Sequence, residues 1–204
     1  MNLQYGQPFS LLDWSAANKS RLTPPVCNAA VFPDGDFIIN MVGGPNYRTD
    51  YHINSTEEIF YQIRGKAYLN VLDRGKYDII PLNEGDIFLL PANLPHSPQR
   101  PDPNGLCFLV ERPRPLDCID SFLWYCACCG TEIYRISDHV DDLVANLPKA
   151  YKEFYSLNDA QRSCSNCGHV HAGEDAHAWQ QDYLKSNIHI KERLTDFLSD
   201  LSET

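Results

Sequence analysis

The amino-acid sequence predicts an all-β protein, either a sandwich or a barrel, followed by a small metal-binding region. Six short apolar runs between residues 36 and 111 are separated by turn residues, which is the spacing of strands in sandwiches and barrels. The chain has 204 residues, 43% of them hydrophobic, and this is enough for one substantial core. Two CxxC pairs, which begin at Cys126 and Cys164, stand beyond the six runs.

The elements of the first half follow from these runs. Ser10 is a suitable N-cap for a short amphipathic helix that extends to about Lys19, and the prolines of the segment LTPPVCN end it. The runs that predict strands are DFIINMVGG, EIFYQIRG, KAYLNVLD, KYDIIPL, DIFLLP and LCFLVE, each bounded by Gly, Pro, Asn or Asp. The segment RPRPLDCID that follows them has the composition of a linker.

The second half predicts helices around the cysteine pairs. Apolar residues recur at helical spacing from about Asp138 to Ser156, and Pro148 is expected to kink or break this helix. The segment NIHIKERLTDFLSDL predicts a last amphipathic helix. We therefore expect three parts. They are an N-terminal helix with a β-barrel (1–115), a four-cysteine metal-binding region (116–172) and a helical tail (173–204).

Charge and cysteine content limit the binding partners and the cellular location that we expect for this chain. A formal net charge of −10 argues against nucleic acid, because phosphate binding needs a concentrated basic surface. An anionic substrate would need arginines placed locally at its site. Because no apolar run approaches the ~20 residues that span a bilayer and we recognise no signal peptide, we expect no membrane contact. Cysteines arranged as CxxC are typical of metal sites in a reducing compartment, so we expect a cytoplasmic location.

The stretch YHINSTEEIFYQIRG (51–65) carries two candidate metal ligands, His52 and Glu58. Strand alternation places Glu58 on the face opposite to Ile59. A third candidate, His96, ends a later strand in a loop bracketed by prolines. Two imidazoles and one carboxylate form the facial triad of non-haem Fe(II) oxygenases, which keeps positions open for substrate and dioxygen. A single such histidine is more often a satisfied polar residue, and Glu57 is the rival of Glu58, so the joint spacing carries the prediction.

This spacing resembles the two signature motifs of the cupin superfamily. The matching residues are His52, Glu58 and Gly65 in the first motif and Gly85, Pro91 and His96 in the second. Asn54 stands where the first motif usually has a second histidine, and Asn93 replaces the inner glycine of the second motif. The resemblance implies a jelly-roll barrel with a three-ligand metal site.

Longer segments are similar to the single-cupin 3-hydroxyanthranilate 3,4-dioxygenases of bacteria and fungi. These segments are MVGGPNYRTDYH, PANLPHSPQR and CFLVERPRP, together with LTPPVCN and the CxxC pairs, and the likeness runs from about Trp14 to Val170. It implies that O2 opens the ring of 3-hydroxyanthranilate at a mononuclear Fe(II). The expected product, 2-amino-3-carboxymuconate semialdehyde, cyclises to quinolinate in tryptophan catabolism. A homodimer is also implied.

The resemblance assigns roles residue by residue. The implied iron ligands are His52, Glu58 and His96, of which Glu58 also contacts the substrate. Arg48 is implied to contact dioxygen, Arg100 to hold the substrate carboxylate and Glu111 to contact the substrate.

Each of these three roles has a chemical reason and an alternative. Arg100 can pair with a carboxylate in bidentate geometry, Arg48 can stabilise negative charge on dioxygen, and Glu111 can accept the phenolic proton. The alternatives are an exposed surface position for either arginine, and a salt bridge from Glu111 to Arg112 or Arg114.

The CxxC pairs predict a tetrahedral four-thiolate site. Both segments read CxxCG when Cys128 is left out, and a glycine after the second cysteine suits a tight turn. The predicted ligands are Cys126, Cys129, Cys164 and Cys167. Disulfides, free thiols or a mixed site with His169 or His171 are the alternatives. Iron and zinc both accept four thiolates, whereas the resemblance implies a rubredoxin-like iron. We expect a folding or dimer-stabilising role.

Other functions stay open for this sequence. A related cupin dioxygenase could take a ring-substituted 3-hydroxyanthranilate, and a cupin isomerase or lyase could use the same triad without O2. A non-catalytic sensory cupin would show no turnover at all. Oxygen uptake separates the dioxygenases from the other two classes.

Overall fold

The computed structural model describes residues 6–24, 27–140, 143–199 and 201, without the side chains of residues 143–145. Several sequence predictions touch positions outside this description. They are Pro25 and Val26 of the LTPPVCN segment, residues 141 and 142 of the predicted helix, and the side chains of Leu143 and Val144 within its apolar pattern.

The described part of the chain forms a jelly-roll barrel of two antiparallel sheets. One sheet has the strand order β1-β2-β9-β4-β7 and the other the order β11-β10-β3-β8-β5-β6. The strands are β1 (Asn28–Ala30), β2 (Ile38–Gly43), β3 (Tyr51–Ile53), β4 (Glu58–Arg64), β5 (Ala67–Asp73), β6 (Lys76–Leu82), β7 (Ile87–Leu90), β8 (His96–Gln99), β9 (Leu106–Glu111), β10 (Asp120–Tyr125) and β11 (Glu132–Asp138).

Four α-helices lie outside the two sheets in the described ranges. They are α1 (Leu11–Ala17), α2 (Leu143–Tyr155), α3 (Ala176–Ser186) and α4 (Ile188–Leu198), and a short 3₁₀ helix (Lys19–Arg21) follows α1. The Ser10 hydroxyl accepts a hydrogen bond from the Asp13 amide at 3.2 Å and caps α1, as the sequence predicts. None of these helices combines the length and the apolar character that crossing a membrane requires.

The six predicted strands are all present, as β2, β4, β5, β6, β7 and β9. Alternation in β4 is also as predicted, since Glu58 and Phe60 are buried while Ile59 and Tyr61 are exposed. The barrel interior is packed with apolar side chains from both sheets, among them Val42, Phe60, Leu69, Leu90 and Leu109. The buried glutamate therefore enters an otherwise apolar interior from the start of β4.

Two predictions about the second half are corrected. The helix expected from Asp138 begins at Leu143, because β11 pairs with β10 as far as Asp138. It is also not broken at Pro148, which lies inside it, while a kink at this proline stays a prediction. Its Phe154 ring stacks on Trp124 at a centroid distance of 4.2 Å, and such packing offsets the hydrogen bond that a proline cannot make.

The predicted linker ends one residue early, because Asp120 already belongs to β10. This strand pairs with both β11 and β3, so the sheet of the barrel continues into the region that was expected to be separate. The division of the chain at residues 115 and 172 stays a prediction.

Helices α3 and α4 cover the outer face of the six-stranded sheet, and we call them the C-terminal clamp. Their buried side chains are Trp179, Tyr183, Ile190 and Leu194, which pack against sheet residues such as Tyr51, Tyr77 and Leu123. The Lys66 ammonium donates to the Phe197 carbonyl at 2.6 Å, and Arg193 binds Asp78 and the Ile79 carbonyl. The predicted last helix is thus docked on the core.

Candidate active site

The three candidate metal ligands lie together inside the barrel. Strands β3 and β8 pair so that His52 is directly opposite His96, and Glu58 begins the facing strand β4. The Glu58 Oε1 atom lies 3.3 Å from His96 Nε2 and 3.9 Å from His52 Nδ1. One ligand atom from each of the three residues lies within 4.8 Å of the others, and all three side chains are buried.

Two asparagines at the motif positions that depart from the cupin pattern shape this cluster. The Asn54 amide donates to Glu58 Oε1 at 2.6 Å, so the residue in place of a second histidine orients the carboxylate. The Asn93 amide N–H donates to the Asn54 carbonyl at 2.8 Å, and Asn93 has a φ of 63°. Asparagine tolerates this left-handed conformation better than most residues, which explains why it can replace the glycine.

Glu58 and His96 each stabilise the charged form of the other. Burial alone would raise the pKa of Glu58, but His96 and then His52 lower it to about 2. Burial alone would lower the pKa of His96, whereas the Glu58 carboxylate raises it above its ordinary value. Glu58 is therefore ionised over the physiological range, as a metal-ligating carboxylate must be.

A cavity of about 490 Å³ opens over this cluster. Its lining includes all six residues that the sequence singles out at the catalytic site, namely Arg48, His52, Glu58, His96, Arg100 and Glu111. Helix α2 forms another wall with Leu147, Pro148, Tyr151 and Tyr155. The cavity thus has a charged floor and a largely aromatic and apolar side.

Arg48 is fixed at the cavity by Asp50, two residues along the chain, and by Gln99 of β8. Its guanidinium binds the buried Asp50 carboxylate through Nε at 3.1 Å and Nη2 at 2.5 Å. The Gln99 side chain bonds both the Arg48 amide and its carbonyl, at 3.2 and 3.0 Å. Arg48 is therefore a positioned cation rather than the freely exposed surface arginine of the alternative interpretation.

Arg100 is also buried, with 6% of its surface exposed. Reciprocal backbone hydrogen bonds of 2.8 Å join it to Asn46, and its Nε atom has no hydrogen-bond partner among the described residues. Because burial disfavours the cation, the pKa of Arg100 is lowered from its ordinary value. A buried guanidinium with unused donor capacity at a cavity wall is suited to an anionic ligand.

Glu111 lines the cavity. It also makes the salt bridge to Arg114 that was given as the alternative to a substrate-binding role. Its Oε2 atom lies 2.5 Å from Arg114 Nη1. Burial, and then the Glu58 charge, raise the pKa of Glu111 to about 7 in spite of Arg114. A carboxyl group with this pKa can accept or return a proton near neutral pH.

Sequence reasoning did not find several side chains around the site. Asp120, placed in a predicted linker, is fully buried with Oδ2 2.7 Å from His52 Nε2. Because β10 is buried on both faces, strand alternation gives no signal for this residue. Tyr151 and Tyr155, one helical turn apart, carry the periodicity of one face of α2, and that face turns toward the cavity.

The four predicted cysteine ligands form a second cluster. Their Sγ atoms are 3.5 Å apart for Cys126 and Cys167, and 3.6 Å apart for Cys129 and Cys164. Thiolates bound at about 2.3 Å to one tetrahedral metal lie about 3.8 Å apart. Cys128 is not part of this group, and all eight cysteines are free thiols.

Both cysteine pairs have the same backbone turn. Gly130 and Gly168 donate to the carbonyls of Cys126 and Cys164 at 2.9 Å. These two glycines have φ angles of 70° and 74°, a conformation that favours glycine. The repeated turn explains the pattern CxxCG in both segments.

Comparisons with known proteins agree over most of the chain. A family model described as 3-hydroxyanthranilic acid dioxygenase matches residues 4–155. A Paraburkholderia phytofirmans protein named 3-hydroxyanthranilate 3,4-dioxygenase is 46% identical over 172 residues, which cover 84% of this chain and 98% of that protein. A Cupriavidus pinatubonensis protein of the same name is 42% identical over 180 residues, which cover 88% and 95%.

Among solved structures, a cupin-2 domain containing protein from Shewanella frigidimarina resembles part of the chain. It has a TM-score of 0.39 and 16% identity, and the match covers 48% of this chain and 91% of that one.

Proposed function

The chain belongs to the 3-hydroxyanthranilic acid dioxygenase family, and from that premise we propose that His52, Glu58 and His96 hold a mononuclear Fe(II). The protein is an oxidoreductase, a ring-cleaving dioxygenase that uses 3-hydroxyanthranilate and O2. Its product, 2-amino-3-carboxymuconate semialdehyde, cyclises to quinolinate. One observation carries the site assignment: the six residues chosen from sequence line a single cavity.

The donor set fits the proposed metal. Glu58 Oε1 lies 3.3 Å from His96 Nε2 and 3.9 Å from His52 Nδ1, so one ion could bind all three side chains. Bound Fe(II) supplies the one-electron chemistry with O2 that protein side chains lack. Three protein ligands leave positions for the substrate and for dioxygen.

The remaining residues hold the substrate and manage its charge. Arg100 receives the carboxylate of 3-hydroxyanthranilate, since its buried Nε is without a partner among the described residues. Glu111 accepts the proton of the substrate hydroxyl, because a carboxyl with a pKa of about 7 is partly ionised at neutral pH. Arg48 stabilises negative charge on dioxygen, and Glu58 contacts the substrate beside its ligand role. Helix α2 excludes water from the opposite wall.

The second metal site is proposed for Cys126, Cys129, Cys164 and Cys167, with Fe or Zn as the ion. The near-tetrahedral spacing of the sulfur atoms supports it. Its proposed role is structural, because it ties the segment after β10 to the segment before α3. Cysteine pairs grouped as possible metal ligands also support the proposed cytoplasmic location.

A homodimer is proposed on the exposed face of the five-stranded sheet. Ile59, Tyr61, Ile87 and Leu89 are between 37% and 72% exposed, and the register places Ile59 beside Leu89 and Tyr61 beside Ile87. An apolar face of this kind, continuous over two adjacent strands, is typical of a subunit interface. A second copy of the chain is the proposed occupant.

The function is tested by anaerobic reconstitution with Fe(II), followed by 3-hydroxyanthranilate and air. We expect one O2 consumed per substrate and a transient muconate semialdehyde absorbance that decays to quinolinate. Reconstitution with Zn(II) and the His52→Ala variant are the controls, and both should be inactive. Iron bound at the triad with no oxygen uptake would refute the proposed substrate, and would point to a cupin isomerase or lyase instead.

A further inference from the structure

His52 is held between two carboxylates, one on each ring nitrogen. Its Nδ1 faces Glu58 Oε1 at 3.9 Å, and its Nε2 lies 2.7 Å from Asp120 Oδ2. The Phe122 ring stacks on the imidazole at 5.1 Å with an interplanar angle of 14°. Ring position and orientation are therefore both fixed by β10, the strand next to β3 in the sheet.

The short contact with Asp120 selects a tautomer. An ionised carboxylate accepts hydrogen bonds and donates none, so the proton of a neutral His52 lies on Nε2. The lone pair then lies on Nδ1, which faces the candidate ligand Glu58. His96 is held differently, since its Nδ1 donates to the neutral Leu94 carbonyl at 3.0 Å and its Nε2 faces Glu58.

Arg114 connects this arrangement to the substrate side of the cavity. Its Nη2 and Nε donate to Asp120 Oδ2 at 3.0 and 3.1 Å, and its Nη1 lies 2.5 Å from Glu111 Oε2. The Arg114 side chain is 2% exposed. One buried guanidinium thus fixes two carboxylates, one that contacts a candidate metal ligand and one that lines the cavity.

We propose that Asp120 and Arg114 are positioning residues of the metal centre, and that His52 presents Nδ1 to the metal because Asp120 holds the proton on Nε2. Arg114 binds both Asp120 and Glu111. It therefore keeps the distance between His52, which Asp120 holds, and the Glu111 carboxylate constant. This inference rests on the proposed function, because it assumes a metal at the triad. Carboxylate partners of ligating histidines raise ligand basicity and fix ring orientation in metal proteins.

The first test uses Co(II) as a spectroscopic probe of metal affinity in the metal-free protein. Intense thiolate-to-cobalt bands report the cysteine cluster, and weak bands of nitrogen and oxygen ligation report the triad, so the two sites are read separately. Asp120→Asn should weaken Co(II) binding at the triad by about 10- to 100-fold. Asp102→Asn, which changes another buried aspartate, should bind Co(II) like the wild type.

Arg114→Lys keeps the charge but loses the planar fork that reaches two carboxylates. We expect about a tenfold loss of Co(II) affinity at the triad and, in the Fe(II) enzyme, a fall in kcat. Arg112→Lys, an exposed neighbour, is the matched control. Wild-type Co(II) affinity in a folded Asp120→Asn protein would overturn the positioning role.

The second test needs no variant and so does not depend on whether a variant folds. Nitrogen-15 correlation spectra of the Zn(II)-loaded wild-type protein should show His52 with a protonated Nε2 and a metal-shifted Nδ1. A metal-bound Nε2 at His52 would overturn the inference and leave the metal centre standing. Wild-type protein that binds no Co(II) outside the cysteine cluster would instead refute the metal centre, and this inference with it.

Discussion

Glu57 and Glu58 are neighbours in the chain with opposite environments. Glu57 is exposed and Glu58 is 3% exposed, because successive side chains of a strand point to opposite faces. The pleat thus decides which of two identical carboxylates can be a ligand. Spacing to Gly65 selects the buried one, Glu58, from sequence. The partner that holds His52, by contrast, comes from Asp120, whose position depends on the pairing of distant strands.

At Arg100 we predict a substrate-binding defect without a metal defect. Arg100→Ala should raise the KM for 3-hydroxyanthranilate about 10- to 100-fold, since a charge-assisted hydrogen bond contributes roughly 1.5–3 kcal/mol. Iron content should stay at the wild-type level. Steady-state oxygen uptake measures the KM, and Arg112→Ala is the exposed control. An unchanged KM would remove Arg100 from the substrate site.

At His171 we predict a pH-dependent contribution to stability. The imidazole is fully buried against Phe154 and Trp179, and burial, then Arg162, lower its pKa to about 3. The unfolded chain binds a proton at about pH 6.5 and the folded chain does not. The contribution is therefore fully present above pH 6.5 and is lost as the pH falls toward 3.

Urea unfolding at several pH values between 5 and 6.5 measures this contribution. As the pH is lowered, the unfolding free energy of His171→Phe should decrease less steeply than that of the wild type, by up to about 1.4 kcal/mol per pH unit. The exposed His189 provides the control His189→Gln, which should keep the wild-type slope. A wild-type slope in His171→Phe would show that His171 titrates normally.

At the scale of elements, turn signals rather than strand length decided what was predictable, since the four-residue β7 was predicted and the seven-residue β11 was not. β4, β5 and β6 have seven residues each with clear turn signals at both ends. β3 has three residues, and β8 contains His96 and Pro98, so neither has a readable period. These two short strands are the ones that bring the histidines together. The candidate ligands were proposed from motif spacing, not from secondary structure.

For helix α2 and strand β10, prediction from the sequence failed for a different reason. β10 is buried on both faces, so it lacks the alternation of a half-buried strand. α2 survives an internal proline through packing on Trp124, and local propensity does not contain that information. The cavity wall and the Asp120 contact both depend on these elements, which is why the sequence located the candidate ligands but not their surroundings.

For the two cysteine turns we predict a stability defect rather than a catalytic one. The double variant Cys126→Ser/Cys129→Ser should lose one metal ion per chain. A loss of ~3 kcal/mol would lower the Tm by roughly 6–12 °C in a chain of this size. At temperatures below the new Tm, the activity per iron bound at the triad should equal that of the wild type. Cys128→Ser, an exposed cysteine outside the cluster, should behave like the wild type. A stable but inactive double variant would contradict the structural role.

At the scale of the whole molecule, the charge distribution matters for substrate entry. The chain carries a net charge of −10, yet Arg48 and Arg100 both line the cavity. A local pair of cations can hold an anion although the long-range field does not attract it. Sequence composition predicted that an anionic substrate needs local arginines, and two arginines line the cavity.

The proposed homodimer gives the prediction at this scale. Ile87→Lys should place a charge on the edge strand β7 and shift the protein from dimer to monomer in sedimentation velocity. Leu116→Lys, on an apolar residue that is 94% exposed in the segment before β10, is the control and should remain dimeric. A dimer that survives Ile87→Lys would exclude this face as the interface.

The C-terminal clamp also has a consequence for biosynthesis. Its anchors join residues far apart in sequence, such as Lys66 with Phe197, and the ribosome makes α3 and α4 after every strand of the barrel. Domains fold as units during synthesis, N-terminal parts first. The tyrosine-rich outer face of the barrel is therefore open to solvent and to chaperones in the nascent chain, and it closes when the clamp emerges.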